Sequence, residues 1–340
     1  MDIRLLEPGD LANLNCFLAA GFGTSTDAEF ASLDVLRWKY IDTDCSYKAL
    51  VALDCDKIVG FVGVDLTRLV LGCSSEQVTA GQGIDWLASK SNVAVGVLVY
   101  EHSNSFSDVQ FVIGGSPTAV ALRRRLGWQF PSDVGVYCKE LSPIHQWHAC
   151  AGGPLWKAAL RFGRYCIRQI SLSCKQPNCG LRLRRVTEFG DEIERVIHAC
   201  QMGELHTLRT SQRLNHYLRY PSGNVTGWLL EDANQVRGFA LLNVSVGERG
   251  RVGHVVDCFM DTMQPNLWQS ALYALTQQLR TQGADLSLCY ASTKWMSDAL
   301  SGCGYHLQGS LPLATRDPKI LLPSGASMYL TQLEADHGFL

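Results

Sequence analysis

No run of about 18 apolar residues occurs anywhere in this sequence, which excludes a membrane-spanning helix of ordinary length. A secretory leader is missing too. Asp2, Arg4, Glu7 and Asp10 fall within the first ten residues, where a leader needs an apolar stretch. The expectation is a cytoplasmic protein. Cysteine pairs spaced for zinc are also lacking. Thirteen cysteines are present, yet none forms a C-x-x-C pair, and the tightest spacing, Cys174 to Cys179, fits no zinc knuckle. Cys16, Cys138, Cys258 and Cys289 stand in apolar surroundings and read as small core residues, and no metal is expected. Glycine (31) and proline (11) are too few in 340 residues for a collagen-like or low-complexity chain. The 46% hydrophobic content is too high for a disordered one. The length fits two domains, each able to bury its own core.

Acidic residues are absent from one stretch. Residues 141–187 hold eight bases and no acid, while 1–140 hold 17 acids and 11 bases and 188–340 hold 15 acids and 11 bases. Two acidic blocks therefore flank a basic connector, and the shift marks a domain linker. Nucleic acid is not an expected partner, because both blocks are acidic and no binding motif for it is present.

The chain repeats itself in order. Arg4-Leu-Leu-Glu-Pro-Gly-Asp10 matches Arg185-Val-Thr-Glu-Phe-Gly-Asp191, and Val51 to Phe61 matches Leu229 to Phe239. Ile84-Asp-Trp-Leu87 matches Val256-Asp-Cys-Phe259, and Leu126-Gly-Trp128 matches Cys303-Gly-Tyr305. Four collinear matches argue for a duplicated domain. The expected units are 1–142, a connector at 143–180, and 181–340.

Periodicity gives the elements of the first copy. A strand is expected over 3–6, then a helix from Pro8 and Asp10 to Ala20, ended by Gly21 and Gly23. A second helix covers 30–40. Strands over 48–53 and 58–71 are joined by the tight turn Asp54-Cys-Asp-Lys57. A strand over 77–87 follows, then a helix over 93–101, a buried strand over 109–113 and a helix over 116–126. Two closing strands fall near 128–130 and 135–139. The second copy places strands near 226–230, 237–246, 253–260, 285–290 and 327–331. The class is α+β (α/β), each copy a mixed, mostly antiparallel sheet flanked by helices.

This order, with a hairpin ahead of a strand and helix, resembles the GCN5-related N-acetyltransferase (GNAT) fold. Leu36-Arg-Trp-Lys-Tyr40, Asp85-Trp86, Ile113-Gly-Gly-Ser116, Leu126-Gly-Trp128 and the connector Trp156-Lys157 are similar to tandem GNAT-like proteins of bacterial exopolysaccharide clusters. The resemblance implies acetyl-CoA or another acyl-CoA as cofactor. The family holds its pyrophosphate with a Gln/Arg-x-x-Gly-x-Gly/Ala loop, because backbone N–H groups must approach it at a helix N-terminus. Ser91 to Gly96 stands at that place, with Ser91 for Gln/Arg, Ala94 for the first glycine and Gly96 matching. The cofactor stretch implied is Leu87, Asn92, Val93, Ala94, Val95, Gly96 and Val97. In the second copy the corresponding segment, Thr262 to Trp268, has no glycine, so that copy is expected to be degenerate.

Acyl transfer needs a base, donors that polarise the carbonyl and an acid for the leaving thiolate. Asp85, on the expected strand, is the candidate base, and its counterpart Asp257 raises the alternative of a shared structural role. Where the family often has a tyrosine acid, this chain has Arg123, which cannot serve as one. Arg123 with Arg124 and Arg125 either contacts an anionic group or forms a solvated face. Tyr100 and Tyr137 are alternative acids. Ser116, before Pro117, is a helix cap and a second catalytic candidate. Trp38 and Tyr40 suit stacking on a sugar or base, or pack a helix end. His145 and His148 have no carboxylate neighbour and make no metal site.

The connector is amphipathic over 154–173. Lys157, Arg161, Arg164 and Arg168 fall on one stripe, and Leu155, Ala159, Phe162, Cys166 and Ile170 on the other, widened by Trp156, Leu160 and Ile167. It packs between domains or lies on an anionic membrane surface, peripheral to the inner membrane. Two functions stay open. One is acyl-CoA-dependent N- or O-acyl transfer to a small-molecule or sugar-linked acceptor. The other is a non-catalytic scaffold or regulatory partner of a polysaccharide synthase.

Overall fold

Each half of the chain is built on a three-stranded meander. The computed structural model describes residues 1–42, 47–70, 76–90, 92–142, 180–200, 202–233, 235–247 and 250–335, with Trp156, Leu160 and Gly163. The expectations for the connector, for His145, His148, Cys174 and Cys179, and for Ser91 lie outside the described residues. Trp156 and Leu160 are helical and exposed. Among the described residues no helix is long and apolar enough to cross a membrane.

In the first half β2 (Tyr47–Asp54), β3 (Lys57–Val70) and β4 (Gln77–Ala88) run antiparallel. The expected turn forms with Cys55 and Asp56 both at positive φ, the backbone a two-residue hairpin loop requires. β1 (Asp2–Leu5) flanks β2. Then α1 (Leu11–Phe22) and α2 (Leu33–Tyr40) lie before the meander, and α3 (Val93–Ser103), β5 (Val109–Ile113), α4 (Pro117–Arg125) and β6 (Gln129–Glu140) follow it. The second half repeats this with β7 (Arg182–Val186), α5 (Glu192–Ala199), β8 (Leu205–Thr207), α6 (Ser211–Leu218), β9 (Thr226–Asp232), β10 (Gln235–Gly247), β11 (Gly250–Met260), α7 (Pro265–Thr281), β12 (Leu286–Ala291), α8 (Lys294–Gly302) and β13 (His306–Arg316). A two-residue strand, β14 (Met328–Tyr329), pairs parallel with β8.

One sheet runs through both halves in the order β1-β2-β3-β4-β5-β13-β6-β12-β11-β10-β9-β7. The two closing strands are exchanged. β13 of the second half pairs with β5 of the first, and β6 of the first pairs with β12 of the second. The halves are therefore welded by backbone hydrogen bonds as well as by a core in which Val35, Trp38, Tyr137 and Leu141 join second-half residues.

Four expectations need correction. The closing strands near 128–130 and 135–139 are one strand, β6. β13 is not among the expected strands; Gly309 and Pro312 hid it, since both residues argue against a central strand, while the strand expected over 327–331 is the two-residue β14. Gly21 lies within α1, and Gly23 ends it at φ 70. Cys16 is exposed, because Leu11, Leu14 and Leu18 form the buried stripe of α1 and Cys16 faces away from them.

Candidate active site between parting strands

β4 and β5 pair only where Ala80–Gln82 meet Val109–Phe111. Beyond that they part, and a cavity of about 380 Å³ opens. Its walls come from β4 (Gln82 to Trp86), the end of β5, the start of α4 (Gly115, Ser116, Ala119, Arg123) and α2 (Val35, Trp38, Lys39). Phe22 and Phe30 add an aromatic edge, and Tyr220 and Ala335 reach in from the second half.

A β-bulge shapes the floor. Gly63 pairs with Ile84 and Phe61 with Leu87, so Asp85 and Trp86 together face the single residue Val62. Asp85 takes a left-handed backbone, φ 49, which aspartate tolerates better than most residues. Its Oδ2 accepts from Lys39 Nζ at 2.8 Å and from the Tyr40 hydroxyl at 2.6 Å. Lys39 is only 6% exposed, and a buried ammonium needs such a counter-ion. Gly63 makes the arrangement fit: a Cβ there would meet the Tyr40 hydroxyl.

Trp38 lies flat on His216, with ring centroids 4.3 Å apart and planes at 11°, and its indole donates to the His216 carbonyl at 3.1 Å. It thus joins the cavity to the second half. Tyr40 is not part of the wall; it buttresses Asp85 from beneath. The Ser116 hydroxyl accepts from the Ala119 N–H at 3.2 Å and caps α4, at the cavity's edge.

No family of known sequences matches the chain, and no curated protein does. Solved structures do match in shape. They include a GCN5-related N-acetyltransferase from Anabaena variabilis, with a TM-score of 0.59 at 10% identity over 93% of this chain and 73% of that one. A second, from Kribbella flavida, gives 0.56 at 14% identity, over 93% and 71%. N-myristoyltransferase from Saccharomyces cerevisiae with bound myristoyl-CoA gives 0.58 at 12% identity, over 93% and 78%. The fold is that of the GNAT proteins.

The cofactor stretch departs from what the GNAT loop requires. Val93 and Ala94 are exposed at the start of α3, and Asn92 and Val97 are half-buried. Val95 and Gly96 face the sheet. A Cβ on Gly96 would stand 2.6 Å from that of Ala88, and the Gly96 carbonyl accepts from the Trp86 indole at 3.0 Å. Gly96 therefore lets α3 settle on β4. Leu87 turns the other way and packs against Gly21 of α1. Where a GNAT loop would meet a pyrophosphate, this chain offers the first-turn N–H groups of α3 without the loop's glycines. Gly96→Ala is expected to destabilise the fold by about 1–3 kcal/mol through overpacking, read as a lower urea midpoint at unchanged slope.

Arg123 is no part of a solvated face. Arg124 and Arg125 are exposed, but Arg123 is 3% exposed. Its Nε donates to the Tyr100 hydroxyl at 3.2 Å and its Nη1 to the Gly114 carbonyl at 3.1 Å. Tyr100 in turn stacks on Trp86, with centroids 4.5 Å apart. Burial pushes the Tyr100 phenol up, against the pull of Arg123, which makes it a poorer proton donor. Tyr137 packs in the second-half core, away from the cavity.

The second GNAT-like half bulges at the equivalent place: Leu241 pairs with Asp257 and Leu242 with Val255. Asp257, fully buried, is gripped by Arg209 through two bonds of 3.1 and 3.2 Å and by the Thr331 hydroxyl at 3.0 Å. Glu334 completes the cluster at 3.1 Å from Arg209. Tyr329 and Leu330, also fully buried, bridge the parting strands: the Tyr329 hydroxyl donates to the Cys258 carbonyl on β11, and Leu330 exchanges bonds with Ser292 past the end of β12.

Sequence reasoning passed over Lys39, Gln82 and the Phe22–Phe30 pair. Lys39 stood between two named residues, Trp38 and Tyr40. Its burial depends on a partner 46 positions away, which no local pattern reveals.

Proposed function

We propose that the chain is an acyl-CoA-dependent acyltransferase acting on an amine or hydroxyl, with its reaction centre in the first-half cavity. The observation that carries this reading is Asp85, held on a strained bulge by Lys39 and Tyr40 at the wall of a cavity in a GNAT fold. The acyl-CoA would supply an activated thioester. The interrupted ladder at the bulge frees backbone N–H groups to polarise its carbonyl. Lys39 and Tyr40 both bind Oδ2, which leaves Oδ1 to take the acceptor's proton, directly or through a water. As the new bond to nitrogen or oxygen forms, the carbon–sulfur bond breaks, and the thiolate gains its proton from solvent. The bound myristoyl-CoA of the yeast neighbour supports an acyl-CoA donor. A small or sugar-linked acceptor, a role in exopolysaccharide assembly and membrane contact through 154–173 belong to the same proposal.

The pyrophosphate end, poor in glycine, favours a second reading, a scaffold that has kept the fold without the cofactor. Calorimetric titration of acetyl-CoA and a longer acyl-CoA into the full chain tests the two. Micromolar binding, with thiol release when amines are added, is expected. Failure of both donors to bind would move the assignment to the scaffold.

A further inference from the structure

Arg123 is a buried cation without an anion. Its Nε and Nη1 bind neutral oxygens, and among the described residues its Nη2 makes no hydrogen bond and no carboxylate lies within ion-pair distance. A guanidinium taken out of water this far is costly unless an anion meets it. Arg123 lines the cavity, beside the turn of Gly114 and Gly115 that leads into α4. Both glycines have positive φ, and a Cβ on Gly115 would stand 2.8 Å from Nη1, so the backbone there is cut back to admit the guanidinium.

Gln82 lines the same cavity. It is 3% exposed, and its Nε2 donates to the Glu334 carbonyl, which fixes the amide's orientation. Its Oε1 is then a buried acceptor with no partner among the described residues. Phe22 and Phe30 line the cavity too, edge to face at 5.4 Å. Phe22 is 47% exposed, an apolar surface that an apolar ligand body would cover.

We infer that the acceptor is an apolar amine-bearing carboxylate, of the hydrophobic amino-acid class, with its carboxylate on Arg123, its amine toward Asp85, and its side chain on the Phe22–Phe30 edge. The inference rests on the acyltransferase reading for its chemistry, but its binding test does not.

The test is calorimetric titration of L-phenylalanine and L-leucine, and of their carboxamides, into the full chain, with acetyl-CoA titrated in parallel. The acids are expected to bind at least tenfold more tightly than the amides, since a missing charge leaves Arg123 unpaired. Arg123→Met is expected to abolish that preference while acetyl-CoA binding persists. The acid–amide comparison on the unaltered chain stands even if the variant does not fold. Equal binding of acid and amide, or binding of neither at millimolar concentration, overturns the inference. Acetyl-CoA bound without an acid–amide preference would overturn it and leave the acyltransferase reading intact. An acid preference without acyl-CoA binding would do the reverse.

Discussion

Asp85→Asn is expected to lower turnover by roughly two to four orders of magnitude, the range in which a positioned general base acts. The amide keeps the shape but cannot take the acceptor's proton. It also removes the counter-ion of Lys39, whose ammonium is 6% exposed and 2.8 Å from Oδ2. Stranding one member of a buried pair costs about 3–5 kcal/mol. Lost activity alone would therefore not separate chemistry from folding. The double variant Lys39→Met, Asp85→Asn does so, because removing both charges leaves no orphan. It is expected to regain most of the urea midpoint and none of the turnover. Recovery of turnover together with stability would show that Asp85 only neutralises Lys39.

The same pair shows what the sequence could and could not tell. Asp85 was named because the resemblance implies a carboxylate on that strand, while its repeat partner Asp257 argued for a structural role; the order of elements was legible because the strands are long and their turns carry Asp, Asn and Gly. Lys39 was not, since its value comes from a contact across 46 residues. Arg123 was left open for a related reason. Three arginines in a row at a helix end read either as a contact for an anionic group or as a solvated face, and only the tertiary fold turns the first of them inward, under Trp86 and Tyr100. Gly96 matched a loop pattern, yet its missing Cβ answers to Ala88. The strand exchange was beyond reach, because β6 and β13 would satisfy either half equally well in local pattern. Their partners are chosen by the whole sheet.

Breaking the second half's lock is expected to give the largest loss of stability. Arg209 is fully buried, and its guanidinium is met by Asp257, Glu334 and the Thr207 hydroxyl. The two carboxylates hold its pKa above the ordinary value although burial works the other way. Asp257→Ala takes two charge-assisted bonds from Arg209 and leaves Glu334 as its one carboxylate in a site water does not reach, and a cost of about 3–5 kcal/mol follows. The loss should reach the first half. Thr331 and Glu334 tie the segment that holds Ala335 to Asp257 and Arg209, and both Ala335 and Gln82, which donates to Glu334, line the first-half cavity. Urea unfolding should show the lower midpoint, and acceptor KM should rise more than kcat falls, because the segment shapes the wall and touches no reacting atom. Arg209→Met with Asp257→Leu and Glu334→Gln should restore the midpoint, since a cluster emptied of charge has nothing left to neutralise. A midpoint that stays low in that variant would place the cost in packing rather than in charge. The duplicated bulge would then owe its second carboxylate to shape, and the difference between the halves would lie in what fills the gap rather than in what the aspartate holds.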